Sequence, residues 1–337
     1  MESSEESRSS LSVFGSPPEP IFNESRNGLS NELILDSLKF LSSKNEVAVR
    51  GAVIDETRGC FKSGQPVQFL FELSKHFKLP TDVQYRAAEL FHHFMTSHIV
   101  ELYQVLAVWC CQYSYVCHQL PVVLPLQHVQ QSQQTSSPIQ WSEVENRLKH
   151  QVILRAVSCV QLASKLSSHY NLVSLNRVKS FLTQCGFRYA STSLVQSEVR
   201  ILKTLDFKVH CPTPLEYVET LLGMLSHDDP IINPKQLHGI ALKVLDVYYI
   251  ERGTIYEKLF QLTRVDVTRD QTTVAAIEED FMLLAVAVIS ASSFILDRSQ
   301  SELITTHLSQ ITRIVLGDIL NFASVLLEEI FTANKSI

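Results

Sequence analysis

Glycine is scarce in this chain, with ten in 337 residues, and no cluster of them forms a loop that could wrap a phosphate. Nucleotide-using folds hold phosphates with backbone amides in such loops, so the scarcity argues against a kinase or an ATPase. A nucleophile elbow and a convincing acid/base pair are missing as well. Excess positive charge is also lacking. Lysine and arginine total 29 against 35 aspartate and glutamate, a net charge of -6 with a pI near 6.1. The electrostatic footprint of a nucleic-acid-binding protein is therefore absent over the whole chain. Long apolar runs are few. The longest, Phe281–Leu296, falls short of the roughly 20 residues a spanning helix needs, so a buried helix is expected and no membrane association. The opening MESSEESRSS has no apolar stretch and is not expected to act as a signal peptide.

Cysteine is present without a framework. Seven cysteines, an odd number with no regular spacing, fit reduced thiols in the cytosol or nucleus. Cys110, Cys111 and Cys117 beside His118 lack a paired Cys-x-x-Cys and a second half-site, so no zinc site is expected. His92, His93 and His98 share a helix, but His93 and His98 are five apart and no glutamate completes a zincin pattern. They read as helix surface. No metal and no cofactor are expected.

What remains is helix after helix. Residues 1–28 are rich in serine, glutamate and proline and read as a disordered tail. From Asn31 an amphipathic helix carries Ile34, Leu38 and Leu41 on one face. Pro66 suits the first turn of a helix ending before Pro80, and another runs from Thr81 or Asp82 to about Tyr103. Residues 109–140, with prolines, cysteines and a glutamine-rich end, read as an inserted loop. Helices are then expected near 142–168, 175–185 and 193–205. A break at His210–Pro214 precedes four more, near 214–226, 234–250, 277–297 and 300–332. No β-alternation competes. The fold class is all-α, with two helical bundles in tandem. The divisions are a disordered tail at 1–28, an N-terminal helix and linker at 29–60, a first domain at 61–211 holding the 109–140 loop, and a second at 212–332.

Three segments carry a resemblance: LASKLS at 162–167, SEVRILKTLDF at 197–207 and PTPLEYVETLL at 212–222. A central alanine-serine-lysine helix followed by L-x-F-x-x-x-x-P-T-P is similar to the cyclin box. The resemblance covers about 61–211. A weaker second cyclin-like repeat covers 212–332, where EEDFMLLAVAVISASSFIL resembles a central helix. It implies two cyclin-like bundles. It also implies that Lys165 and Glu198 stand where cyclins meet a cyclin-dependent kinase, with Leu162 and Leu202 as companion candidates. Within the family the chain resembles most a divergent branch that promotes maturation of meiotic crossovers. That branch implies a nuclear location on meiotic chromosomes, with the cytoplasm as a second compartment. It also implies a cyclin-dependent kinase, a RING-type crossover regulator and the MutL-type mismatch-repair heterodimer as partners. Direct nucleic-acid binding is not expected.

The chain departs from the family pattern in places. KSGQP at 62–66 stands where cell-cycle cyclins carry their substrate-docking arginine and leucine. His92-His93 stands where they carry an Asp-Arg pair, so the ion pair that ties the box together is lost. Leu166 and Ser167 replace the glutamates that follow the lysine in many cyclins. Kinase contact remains compatible with the resemblance, whereas the usual substrate docking does not.

The residues alone leave the role of the pair open. Glu198 shares helix-neighbour spacing with Leu194, Val195, Ile201, Leu202 and Leu205, and a carboxylate there is costly without a partner. That partner is either Lys165 or a second protein, and the two are compatible. Lys165 alone would be an ordinary cation at the negative end of a helix. The last apolar helix, about Ser301–Phe331, with Leu303, Ile304, Ile311, Ile314, Val315, Ile319, Leu326 and Leu327, reads as core of the second bundle, with a shared partner groove as the other possibility. With the resemblance, the readings are a non-catalytic regulator engaging a kinase, a scaffold that kept the fold without the kinase, a conventional kinase activator, and a nucleic-acid-binding protein of the same fold, which the acidic balance argues against.

Overall fold

The computed structural model describes residues 31–52, 64–113, 141–167, 172–210, 212–228 and 233–333. Among them lie twelve helices and no strand. They are α1 (Asn31–Arg50), α2 (Gln65–His76), α3 (Thr81–Tyr113), α4 (Trp141–Leu166), α5 (Leu175–Gln184) and α6 (Ser191–Thr204). After the proline break come α7 (Pro214–Asp228), α8 (Pro234–Thr263), α9 (Gln271–Glu278), α10 (Phe281–Leu296), α11 (Arg298–Thr312) and α12 (Leu316–Ala333). The all-α class follows directly. The tail expected at 1–28 lies outside the described residues.

Two helices organise the packing. α4 is covered by α2, α3 and α6, and every residue from Ala156 to Ser164 is buried. α10 is covered by α7, α8, α11 and α12, and every residue from Leu284 to Ser293 is buried. A helix apolar all round needs neighbours on every side, which a central position supplies. Polar atoms in these helices are satisfied locally. Ser158 Oγ donates to the Leu154 carbonyl at 2.9 Å and Ser292 Oγ to that of Val288 at 2.7 Å. Asp280 caps α10, its carboxylate accepting from the Leu283 amide at 2.9 Å.

α1 lies on the second bundle, against α7, α9 and α10. Ile34 and Leu41 are buried there, and the Tyr217 hydroxyl donates to the Leu41 carbonyl at 3.2 Å. Asn45 clamps the start of α10, donating to Asp280 at 2.9 Å and accepting from the Met282 amide at 3.1 Å.

Several expected boundaries need correction. α3 continues to Tyr113, so residues 109–113 of the expected loop are helical. Composition suggested a loop there, yet those residues contain neither glycine nor proline to end a helix. Residues 114–140 lie outside the described part. α8 continues past 250 to Thr263 through a kink at Glu251 (φ -105°), because Ile255, Tyr256, Leu259 and Phe260 bury its second half. The helix expected over 300–332 is two, separated where Arg313 turns left-handed at φ +61°. Ile311, Val315 and Ile319 keep a four-residue apolar spacing across that break, so periodicity alone misses it. The run expected at 277–297 is likewise divided between α9 and α10.

The seam between the bundles is aromatic and polar. Tyr85 stacks on Tyr249 with ring centroids 4.9 Å apart, and its single hydroxyl proton is shared between two acceptors, the Asp246 carboxylate and the Leu242 carbonyl, both at 2.9 Å. Gln84 donates to the same carboxylate at 3.0 Å. Arg86 pairs with Glu216 at 3.1 Å, and Arg252 approaches the buried Glu89 at 3.9 Å. The sequence predicts loss of the ion pair that ties the first box; these pairs tie the first bundle to the second. Gly64 explains part of the KSGQP departure. A Cβ there would lie 2.3 Å from the Ile250 carbonyl oxygen, so α2 meets the α8 kink only through glycine.

Candidate partner-binding face

Lys165 ends α4 and Glu198 lies midway along α6, helices that pack against each other. The Lys165 ammonium donates to both carboxylate oxygens of Glu198, at 2.7 and 2.8 Å. The pair is asymmetric in exposure, with 48% of the Lys165 side chain accessible and 13% of the Glu198 side chain. The carboxylate is therefore held near the core edge while the ammonium faces outward. The intramolecular pair left open by the sequence is formed.

Local packing fixes both ends. On α4, Ser164 Oγ donates to the Gln161 carbonyl at 2.8 Å and accepts from the Val173 amide at 3.4 Å, while Gln161 donates to the Val173 carbonyl at 3.4 Å. These bonds hold the chain after α4 against its last turns. On α6, Leu194 and Ile201 are fully buried and Ser197 accepts from Arg155 at 2.9 Å. Cys159, one turn and a half before Lys165, is fully enclosed, and burial pushes its thiol well above the ordinary range. It is an inert packing group. Among the described side chains Cys159 and Cys185 are free thiols, and no three His, Cys, Asp or Glu groups converge as metal ligands.

Around Glu198 the surface is apolar. Val195 is 47% exposed and Val199 42%, and with Glu198 and Leu202 they share one helix face. Leu202 is half-buried and packs on the core. Leu162 is buried, so it supports this surface from beneath and does not reach it.

Phe207, just past the end of α6, is a further exposed apolar side chain that the sequence does not single out. It follows α6 at φ +57°, after Asp206 at φ +50°, with its amide donating to the Leu202 carbonyl at 2.8 Å. Its ring is 63% exposed. Two consecutive left-handed residues without glycine are strained, and an aromatic ring held in water gains nothing from burial. The sequence signal was there in Leu205-Asp206-Phe207, quoted for its spacing and not for its exposure. The histidine reading needs revision too. His98 is buried, its ring stacked on Phe94 at 5.2 Å, so only His92 and His93 reach the surface of α3. Side chains of Cys110, Cys111 and Cys117 lie outside the described part.

The arrangement is an apolar helix face with one ion pair at its edge, the composition of a partner-binding surface. Comparison with known proteins decides its lineage. The chain is 34% identical over 309 residues to human cyclin N-terminal domain-containing protein 1, a match spanning 91% of this chain and 87% of that protein. The chain belongs to the cyclin-like family. The mouse protein of the same name is 35% identical over 91% of this chain and 86% of its own length. No family model matches. By their packing, α2 to α6 form the first bundle and α7 to α12 the second.

Proposed function

We propose that this chain is a non-catalytic cyclin-like regulator that engages a cyclin-dependent kinase through the α4–α6 face and promotes maturation of meiotic crossovers at recombination sites. The observation that carries the kinase part is the exposure of Val195 and Val199 on the α6 face that holds Glu198 and its ion pair with Lys165, with exposed Phe207 just past the end of α6. An apolar center rimmed by charge is the composition of a partner interface. Family membership supports a kinase as the kind of partner. The crossover role rests on the resemblance of the 157–167, 212–222 and 278–296 segments, as do a RING-type regulator and the MutL-type heterodimer as further partners. A location in the nucleus on meiotic chromosomes belongs to the same proposal.

A second reading is a kinase-independent scaffold. It is favoured by the closure of Lys165 on Glu198, which leaves neither charge in need of a partner. The test is affinity purification from germ cells of the wild type and of a Lys165→Ala/Glu198→Ala variant, with kinases and recombination proteins quantified. The kinase reading expects the variant to lose its kinase by at least tenfold while remaining folded. Equal kinase recovery would leave the α4–α6 face without its proposed role. Recovery of recombination proteins with no kinase in either sample would favour the scaffold.

A further inference from the structure

The opposite flank of α6 carries a different chemistry. Arg200 is two residues beyond Glu198, which at about 100° per residue places it some 200° around the helix. There it faces α3. Its Nη2 donates to Glu101 at 3.1 Å and lies 3.4 Å from His98 Nδ1. Glu101 is 3.6 Å from the same ring nitrogen. Arg155 enters from α4 beneath them. Its guanidinium donates to Ser197 at 2.9 Å and to Gln151 at 2.8 Å, and lies over the Phe94 ring at 5.6 Å. Its Nε is enclosed and donates to nothing among the described residues.

Three helices thus bring two guanidiniums and an imidazole together against one carboxylate. The positive charge is felt locally. Burial first, then Arg200 and Arg155, hold the His98 ring below its ordinary value. Burial and Arg200 likewise lower Arg155. With His98 neutral, two cations meet only Glu101, among the described residues. A protein that needed these groups solely as a structural tie would match the charges. Here one unit of positive charge is left over, on the Arg155 guanidinium, beneath a surface where Arg200 and Glu101 are each about half exposed.

We propose that Arg155 and Arg200, with Ser197 and His98 beside them, form an anion site for a phosphorylated serine or threonine of a partner protein, and that Glu101 occupies Arg200 until the phosphate displaces it. A phosphate monoester brings close to two negative charges and three acceptor oxygens, which match two guanidinium forks better than a second carboxylate would. Arg200 and Glu101 form the exposed lip of the site while Ser197 and His98 are buried beneath it, so a phosphate meets Arg200 first, which suits an anion carried on a protein segment better than a small metabolite held in an enclosed cavity. It does not rest on the kinase proposal, because it uses the other flank of α6.

The test follows the arginine Nε–Hε signals of the full chain by NMR. The probes are inorganic phosphate and a blocked Ala-phosphoserine-Ala tripeptide, with the unphosphorylated tripeptide and chloride at equal ionic strength as controls. The Arg155 and Arg200 signals are expected to shift saturably with the phosphorylated tripeptide, and not with either control. Arg200→Gln should weaken binding at least tenfold. Glu101→Gln should tighten it about two- to fivefold, the scale of one exposed ion pair. A purely structural cluster would instead leave Glu101→Gln no tighter and somewhat less stable. No saturation, an unchanged response in Arg200→Gln, or no tightening in Glu101→Gln would each overturn the site. Inorganic phosphate binding as tightly as the tripeptide would overturn its assignment to a protein segment. Because Glu101→Gln only removes a surface charge, it keeps the test decisive if Arg200→Gln fails to fold.

Discussion

The two bundles are built alike and finished differently. Each wraps helices around one apolar helix, α4 in the first and α10 in the second. α10 carries no charge along its length and ends at Asp297, whose carboxylate caps α11 by accepting from the Ser299 amide at 2.9 Å. α4 ends instead in Lys165, half exposed and tied to Glu198. The second bundle also has a cover, because α1 lies over α7, α9 and α10 and buries Ile34 and Leu41. The α4–α6 face has no cover among the described residues. Val195, Val199 and Phe207 remain in solvent there. The lesson is that a shared architecture does not fix use. What distinguishes a structural bundle from a binding one is what closes its outer face.

The comparison breaks first in the core. Leu284 on α10 is fully buried, so Leu284→Ala is expected to cost about 2–5 kcal/mol in urea unfolding. Partner recovery from the remaining folded protein should be unchanged. A parallel loss of partner binding would mean the second bundle is not merely structural.

The seam comes next. Gly64→Ala drives a methyl into the Ile250 carbonyl and should cost about 1–3 kcal/mol, read as a lower thermal midpoint. An unchanged midpoint would mean the bundles tolerate being pried apart at the α8 kink.

The seam also has a pH signature. Burial raises the Asp246 carboxyl above its ordinary 3.8, against the opposing hydrogen bond from Tyr85, and burial raises Glu216 above 4.5, against the charge of Arg86. Between the ordinary and raised values the folded state binds more protons than the unfolded chain, so these two groups make stability rise as pH falls through that window. Other carboxylates superimpose their own slopes. Asp246→Asn, which can still accept from Tyr85, should therefore remove a component that grows on acidification. The difference between wild-type and variant urea midpoints, followed from neutral pH down to 3.8, measures it. A difference independent of pH would refute the assignment.

The smallest effect is expected at the exposed face. Phe207→Gly relieves a left-handed backbone but loosens the unfolded chain, so stability should change by less than about 1 kcal/mol in either direction. Under the proposed function the same change reduces kinase recovery. A large stability loss would mean that the ring packs structurally despite its exposure.

Much of this was legible in the sequence, for reasons that can be named. α4 and α10 stand out because a segment apolar on all sides has only one comfortable place, the middle of a bundle. Lys165 and Glu198 were found because charges are rare on such surfaces. Breaks were harder. Arg313 interrupts the last helix without disturbing apolar spacing, and Glu251 kinks α8 without ending it. Composition places the start of the 109–140 loop too early, because cysteine and glutamine at 109–113 do not by themselves end a helix. Phe207 was seen as part of a spacing, and its exposure follows from a backbone turn that no periodicity records.

By itself, the sequence determined the class and the lineage of this protein. Apolar spacing and the scarcity of glycine require helices around two apolar centers, because such segments have no other way to leave water. Only the tertiary structure decided which charges meet. Lys165 reaches Glu198 across 33 residues, Arg155 and Arg200 converge on His98 of α3 from two other helices, and Arg252 approaches Glu89 across the seam. Those pairings depend on how helices cross, a property set by the packing of whole faces and not by any local run of residues.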